Sequence, residues 1–167
     1  MTHLSTRQYC SVSRIAECIS ILTGAKISTG FVWDTIHQKA EQMSPVYIQL
    51  LEKVKASPVV GSDETGCRIG GQKGWMWVWC NDRYAYLKVS DNRGYATMVE
   101  VLGEKELPFV MVSDCYPAQL KVKTAGKQIC LAHLLRECEG LHKKYNSKWA
   151  LVLKGASNNL IANKESI

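Results

Sequence analysis

The chain has 167 residues, 46% of them hydrophobic and 22% charged, with a formal net charge of +6. That length suits one compact domain with room for a small appendage, and that composition excludes wholesale disorder. No apolar run is long enough to span a bilayer, and the polar stretch Met1–Gln8 lacks a signal core, so a cytoplasmic protein without a membrane partner is expected. The positive charge is compatible with nucleic acid but does not require it; the loose basic groups at 121–127 and 143–148 read, each by itself, as solvated faces. The seven cysteines follow no framework spacing, which in a reducing compartment makes them small buried hydrophobes. Cys130 and His133 have a metal-like spacing. Cys138 and His142 complete a ligand set only on paper, so a zinc site is not expected.

In chain order, residues 9–55 read as helical. Val12, Ile15, Ala16, Ile19 and Leu22 make one apolar stripe, and Gly24 suits a left-handed stop. Ser28 or Thr29 can cap a second helix with apolar positions Phe31, Val32, Ile36 and Ala40. Helix, glycine turn and helix are the parts of a helix-turn-helix, and equally of two ordinary packed helices. Ser44-Pro45 starts a third helix, with Val46, Tyr47, Leu50, Leu51 and Val54 as its stripe. It stops before Ser57-Pro58, and a domain boundary is placed after residue 56.

From Pro58 the period changes to alternation. The first strand is Val59 to about Ile69, and Gly70, Gly71 and Gly74 bracket a turn. Trp75, Trp77 and Trp79 alternate with Met76, Val78 and Cys80, so both faces of the second strand are apolar and a sheet covered on both sides is expected. A turn at Asn81-Asp82-Arg83 leads into a third strand, Tyr84–Val89, and the first three strands are expected to be antiparallel neighbours. The loop Asp91-Asn92-Arg93-Gly94 precedes a helix marked by Tyr95, Met98, Val99 and Leu102 and ended by Gly103. Strand four is Phe109–Ser113, and the helix between strands favours a parallel crossover. A short helix over 118–122, a fifth strand at 128–131 and a helix over His133–Tyr145 follow, the last with Leu134, Leu135, Cys138, Leu141 and Tyr145 inward. Another helix begins near Trp149–Leu153. The core is placed at 57–155, and residues 156–167 read as a polar, frayed tail.

Two strand ends carry the chemistry. Val59-Val60-Gly61-Ser62 delivers Asp63 and Glu64; Phe109-Val110-Met111-Val112-Ser113 delivers Asp114. If strands one and four are neighbours, Asp63 and Asp114 meet at one edge of the sheet. Two such acids stay ionised together only with a cation between them, and carboxylate oxygens select Mg²⁺ or Mn²⁺. Paired ions of this kind support phosphodiester cleavage without a covalent enzyme nucleophile. Taken singly, Asp63 reads as a strand-end acid paired with a base, and Asp114 as a helix N-cap.

Ser62-Asp63-Glu64-Thr65, Gly74-Trp75-Met76-Trp77-Val78, Ser113-Asp114-Cys115-Tyr116 and Cys130-Leu131-Ala132-His133-Leu134-Leu135-Arg136 together resemble the motifs of transposases of insertion-sequence family sixty-six, within the DDE class. The resemblance covers most of 58–145, and the preceding helical stretch is similar to the family's upstream region. It implies an RNase H-like α/β fold, a mixed sheet of about five strands behind an N-terminal helical segment. It implies catalytic and metal-holding roles for Asp63 and Asp114, with Mg²⁺ or Mn²⁺ as cofactor. The activity implied is cleavage and transfer of DNA strands at transposon ends, by a homo-oligomer in the full-length protein. Glu64, Thr65, His133 and Arg136 match the family's motifs outside the metal triad. The family places its third acid, a glutamate, far downstream of a helical insertion. Glu137 and Glu139 fall too early and Glu165 lies in an unlike tail, so the chain is expected to be incomplete and inactive or nearly so. The family's N-terminal zinc-binding and coiled-coil segments are not seen. The alternative is a DNA-binding module or remnant without catalysis.

Overall fold

A computed structural model of the chain describes residues 1–162. It contains two compact units, Met1–Gln49 and Leu50–Ile167. The division falls inside the third long helix, whereas the sequence places a boundary after that helix.

The first unit holds α1 (Thr2–Thr6), α2 (Val12–Thr23), α3 (Thr29–Gln42) and the start of α4 (Ser44–Lys55). Ser11 accepts from Arg14 N to cap α2, and Gly24 ends it in the left-handed region at φ 68. Ser28 accepts from Phe31 N to cap α3. Ile15, Ala16 and Val32 form the buried centre, with Val12, Ile19 and Ile36 packed around it. The stripes are narrower than expected: Leu22 is 77% and Phe31 53% exposed, and Ala40, Val46 and Tyr47 are also exposed. One short helix, two longer ones and the first turns of α4 make too thin a layer to bury a full stripe on each.

The second unit is built on β1 (Val59–Ile69), β2 (Gln72–Cys80), β3 (Ala85–Ser90), β4 (Leu107–Ser113) and β5 (Thr124–Ile129), in the order β3-β2-β1-β4-β5. β1, β2 and β3 pair antiparallel, while β1–β4 and β4–β5 are parallel. With α5 (Tyr95–Leu102), α6 (Pro117–Leu120), α7 (Leu131–Tyr145) and α8 (Lys148–Ala162) flanking it, this is the RNase H-like mixed sheet expected.

Alternation along the strands separates two faces. Val60, Trp77, Trp79, Tyr86, Leu107, Phe109 and Met111 form a closed core with Met98, Val101 and Leu102 of α5, Ala118 of α6, and Val54. The other face is not closed as expected. Met76, Val78 and Cys80 are only half-buried there, and Val59, Leu87 and Val89 are 46–48% exposed. Trp77 and Trp79 lie on the first face, in the core with Met98, Val101 and Leu102 of α5.

Other readings differ as well. β5 starts four residues and ends two residues earlier than read, because an edge strand pairs through its backbone on one side and needs no apolar alternation. Tyr145 is 64% exposed rather than inward, being the last residue of α7 before Asn146 turns left-handed. α8 continues through the first part of the expected frayed tail to Ala162; residues 163–167 lie outside the described residues. Tertiary packing overrides the weak periodicity there: α8 lies along α7, Ala150 is fully buried, and Lys154 reaches Glu139.

Hydrogen bonds from Lys143 and Lys154 hold the Glu139 carboxyl down to about 2. A depressed carboxyl contributes stability above its unfolded value and loses it as pH falls through the folded one. The α7–α8 pairing is therefore expected to loosen between about pH 4.5 and 2. Amide exchange in α8 should rise across that window, less steeply in Lys154→Ala and less at high salt, because the group is exposed. Among the described residues no helix is long and apolar enough to cross a membrane.

Candidate active site at the ends of the first and fourth strands

Parallel pairing sets the levels. Val59, Val60 and Gly61 of β1 stand opposite Val110, Met111 and Val112 of β4. Asp63 is two residues past Gly61, and Asp114 two residues past Val112. Continuing the register puts both acids at one level, at the same end of adjacent strands. β4 ends at Ser113, so Asp114 opens a turn, while Asp63 remains in β1 opposite Val78 of β2.

Each carboxylate has one backbone donor. Asp63 Oδ1 accepts from Glu64 N at 2.9 Å, and Asp114 Oδ1 accepts from Tyr116 N at 2.9 Å. Asp114 is thus an Asx-turn residue ahead of α6, whose N-cap is Tyr116; it is not the N-cap itself. Among the described residues no hydrogen bond or ion pair engages Oδ2 of either acid, and the charge of Asp63 is felt by His133 and that of Asp114 by Arg93. No group of three or more His, Cys, Asp or Glu side chains is placed to hold a metal among the described residues. Two acids come to the edge, and among the described residues a third does not join them. Glu139 is engaged by Lys143 and Lys154, Glu137 is exposed beside Gly140, Leu141 and Lys144, and Glu165 lies outside the described residues.

Asp63 stands on the half-open face. With Gly61, Val78, Cys80, Val112, Cys130 and His133 it lines a cavity of about 150 Å³. Cys130 is the N-cap of α7. Burial pushes its thiol up, but the His133 side chain and the amides of His133 and Ala132 outweigh this and leave it lowered. His133 is raised by Cys130, against burial, and further by the charge of Asp63. The metal-like spacing of Cys130 and His133 therefore brings those two together and sets them beside Asp63. Cys138 is buried in α7, and His142 Nδ1 lies 3.3 Å from Ser147 O.

Glu64 points the other way, as alternation requires, and its side chain is 1% exposed. Arg93 donates to its Oε1 through Nε at 3.0 Å and a terminal nitrogen at 2.8 Å; Gln119 donates to Oε2 at 2.6 Å. The guanidinium lies between Trp75, 4.5 Å from the ring centroid, and Tyr116, 4.1 Å away. The Glu64 hydrogen bonds raise the Arg93 pKa, and the charge of Asp114 adds to the same direction. Sequence reasoning left Arg93 and Gln119 unmarked. The available signal was Glu64 itself, an acid at an inward strand position that requires a buried partner.

The chain is similar to several solved structures. The catalytic core domain of HTLV-2 integrase in complex with magnesium, in its dimeric form, is 12% identical, with 54% of this chain and 74% of that one covered at a TM-score of 0.32. The trimeric form of that domain is 14% identical, covering 60% and 80% at 0.32. A chain of the simian T-cell lymphotropic virus intasome in complex with PP2A regulatory subunit B56 gamma is 11% identical, covering 92% and 66% at 0.34. The search of curated proteins finds no match. The family described as "Transposase IS66 family" matches residues 3–167, nearly the entire length and both strand ends that carry the acids. On that match the chain belongs to the IS66 family of DDE transposases.

Proposed function

We propose that the second unit carries out the DNA strand cleavage and strand transfer of transposition, with Asp63 and Asp114 as the metal-holding acids. The observation that supports this is the parallel register of β1 and β4, which ends at Gly61 opposite Val112, two residues short of each aspartate, so that its continuation brings both to one level. The donor set fits a hard divalent ion: two carboxylates, each with one oxygen unpartnered among the described residues. Mg²⁺ or Mn²⁺ held there would supply the charge that activates an attacking hydroxyl and stabilises the leaving oxygen of a phosphodiester.

The protein's own part is to orient. Asp63 is fixed in the ladder of β1, and Asp114 by the Tyr116 amide. Two acids are a partial set, so catalysis by the described residues alone is expected to be weak until a third carboxylate joins them. DNA is the proposed substrate, in an assembly of several copies. The first unit offers a second DNA contact, an idea supported by the left-handed turn at Gly24 and the Ser28 cap that together join α2 to α3.

Mn²⁺ binding by the full chain, followed by electron paramagnetic resonance, tests the site apart from turnover. Asp63→Asn and Asp114→Asn are each expected to weaken it at least about tenfold, since each removes a charged ligand oxygen. Any Mg²⁺-dependent nicking of DNA should disappear in the same variants. Unchanged Mn²⁺ affinity in both would overturn the assignment.

A further inference from the structure

We infer that Glu64 is a positioning residue: with Arg93, Gln119 and Tyr116 it forms a brace that holds the Asp114 turn level with Asp63. The inference rests on the reading of Asp63 and Asp114 as the metal-holding pair and assigns work to residues outside that pair.

Three segments meet in the brace. β1 supplies Glu64, directly after Asp63. The loop ahead of α5 supplies Arg93. The turn after β4 and the helix it leads into supply Tyr116 and Gln119. Contacts run from the Glu64 carboxylate to the Arg93 fork, from the guanidinium to the Tyr116 ring, and from the Tyr116 amide to Asp114 Oδ1. A second arm runs from Glu64 Oε2 through Gln119 Nε2 into α6.

Asp114 needs such support. It lies beyond Ser113, the last residue of the β4 ladder, so sheet hydrogen bonding does not fix it. A metal ligand must be held within about half an ångström of its working position by its neighbours. The arrangement also goes beyond what stability requires. A buried ion pair can be replaced by apolar side chains of similar volume at little or no loss of stability, whereas a hydrogen-bonded polar network favours one geometry; here the Glu64 carboxylate is engaged on both oxygens, while Gln119 Oε1 is buried without a partner among the described residues. Here that network ends on the amide that orients the second aspartate.

The test uses this distinction. In the full chain, the double variant Glu64→Leu/Arg93→Met replaces the pair with apolar side chains and is expected to stay folded. The Tyr116 amide should then exchange at least about tenfold faster by NMR, with the Trp79 and Leu87 amides unchanged, and Mn²⁺ affinity should fall by a similar factor. Gln119→Leu, which removes one arm only, should show the same pattern more weakly, and stands in if the double variant does not fold. Wild-type protection of Tyr116 in the folded variants overturns the brace. If Asp63→Asn loses Mn²⁺ binding but the brace variants do not, only the brace fails. If the wild-type chain binds no Mn²⁺, the metal-site reading fails, and Tyr116 exchange still decides whether the brace holds the turn.

Discussion

Arg93→Ala is expected to destabilise the second unit by about 3 kcal/mol, the lower end of the cost of breaking a buried ion pair. The cost is set by what remains. Glu64, 1% exposed, would keep its carboxylate in the core with Gln119 as its one side-chain donor. The Arg93 side chain is 41% exposed, which limits the loss on its side and keeps the estimate from rising further. Trp75 and Tyr116 would also lose the cation stacked between them. For a unit of this size the melting temperature should drop by roughly 10 °C. Arg93→Lys should recover part of the loss, because an ammonium keeps the charge but not the two-pronged fork or the stacking. Lys88→Ala provides the scale: Lys88 pairs with Glu100 at the surface, and its removal should cost less than about 1 kcal/mol. Urea unfolding of the three variants gives the comparison, and equal costs for Arg93→Ala and Lys88→Ala would refute the account of Glu64.

The sheet was legible because its signals are local. Val59-Val60, the tryptophan alternation and Phe109–Val112 each announce a strand, and the helix between the third and fourth strands predicts a parallel return. The level of Asp63 against Asp114 was conditional on strands one and four being neighbours, and their parallel register supplies that condition. What escaped were consequences of tertiary contact. β5 has the sequence Thr-Ala-Gly-Lys-Gln-Ile, and only its backbone pairing with β4 makes it a strand. Residues 156–167 read as a frayed polar tail, and packing on α7 carries the helix on to Ala162. Arg93 reads as a loop residue, since nothing within its own segment shows that an acid 29 positions earlier turns inward to meet it. The spacing of Cys130 and His133 was noted only as metal-like, and their nearness to Asp63 depends on where α7 begins against the sheet.

Trp77→Ala is expected to cost about 3–5 kcal/mol, the range for deleting a buried aromatic side chain. Trp77 is fully buried and stacks on Trp79 with centroids 5.9 Å apart and planes 9° from parallel. It stands opposite Glu64 in the β1–β2 ladder, and its Nε1 donates to Asn92 O at 3.2 Å. Thr97 Oγ1 donates to that same carbonyl at 2.9 Å, so the residue just before Arg93 is held from both the sheet and α5. Two losses can therefore be separated. Trp77→Ala opens a cavity in the core and releases the loop. Trp77→Phe keeps most of the packing and removes the indole donor, at about 1–2 kcal/mol for the hydrogen bond and the smaller ring. Both variants should loosen the loop that presents Arg93, while only the alanine variant should lose most of the unit's stability. Urea denaturation read by tryptophan fluorescence, with amide exchange at Arg93 and Gly94, separates them. If Trp77→Phe left exchange in that loop at the wild-type rate, the Thr97 hydroxyl alone would be enough to hold Asn92, and the indole would be a packing group without a share in presenting Arg93.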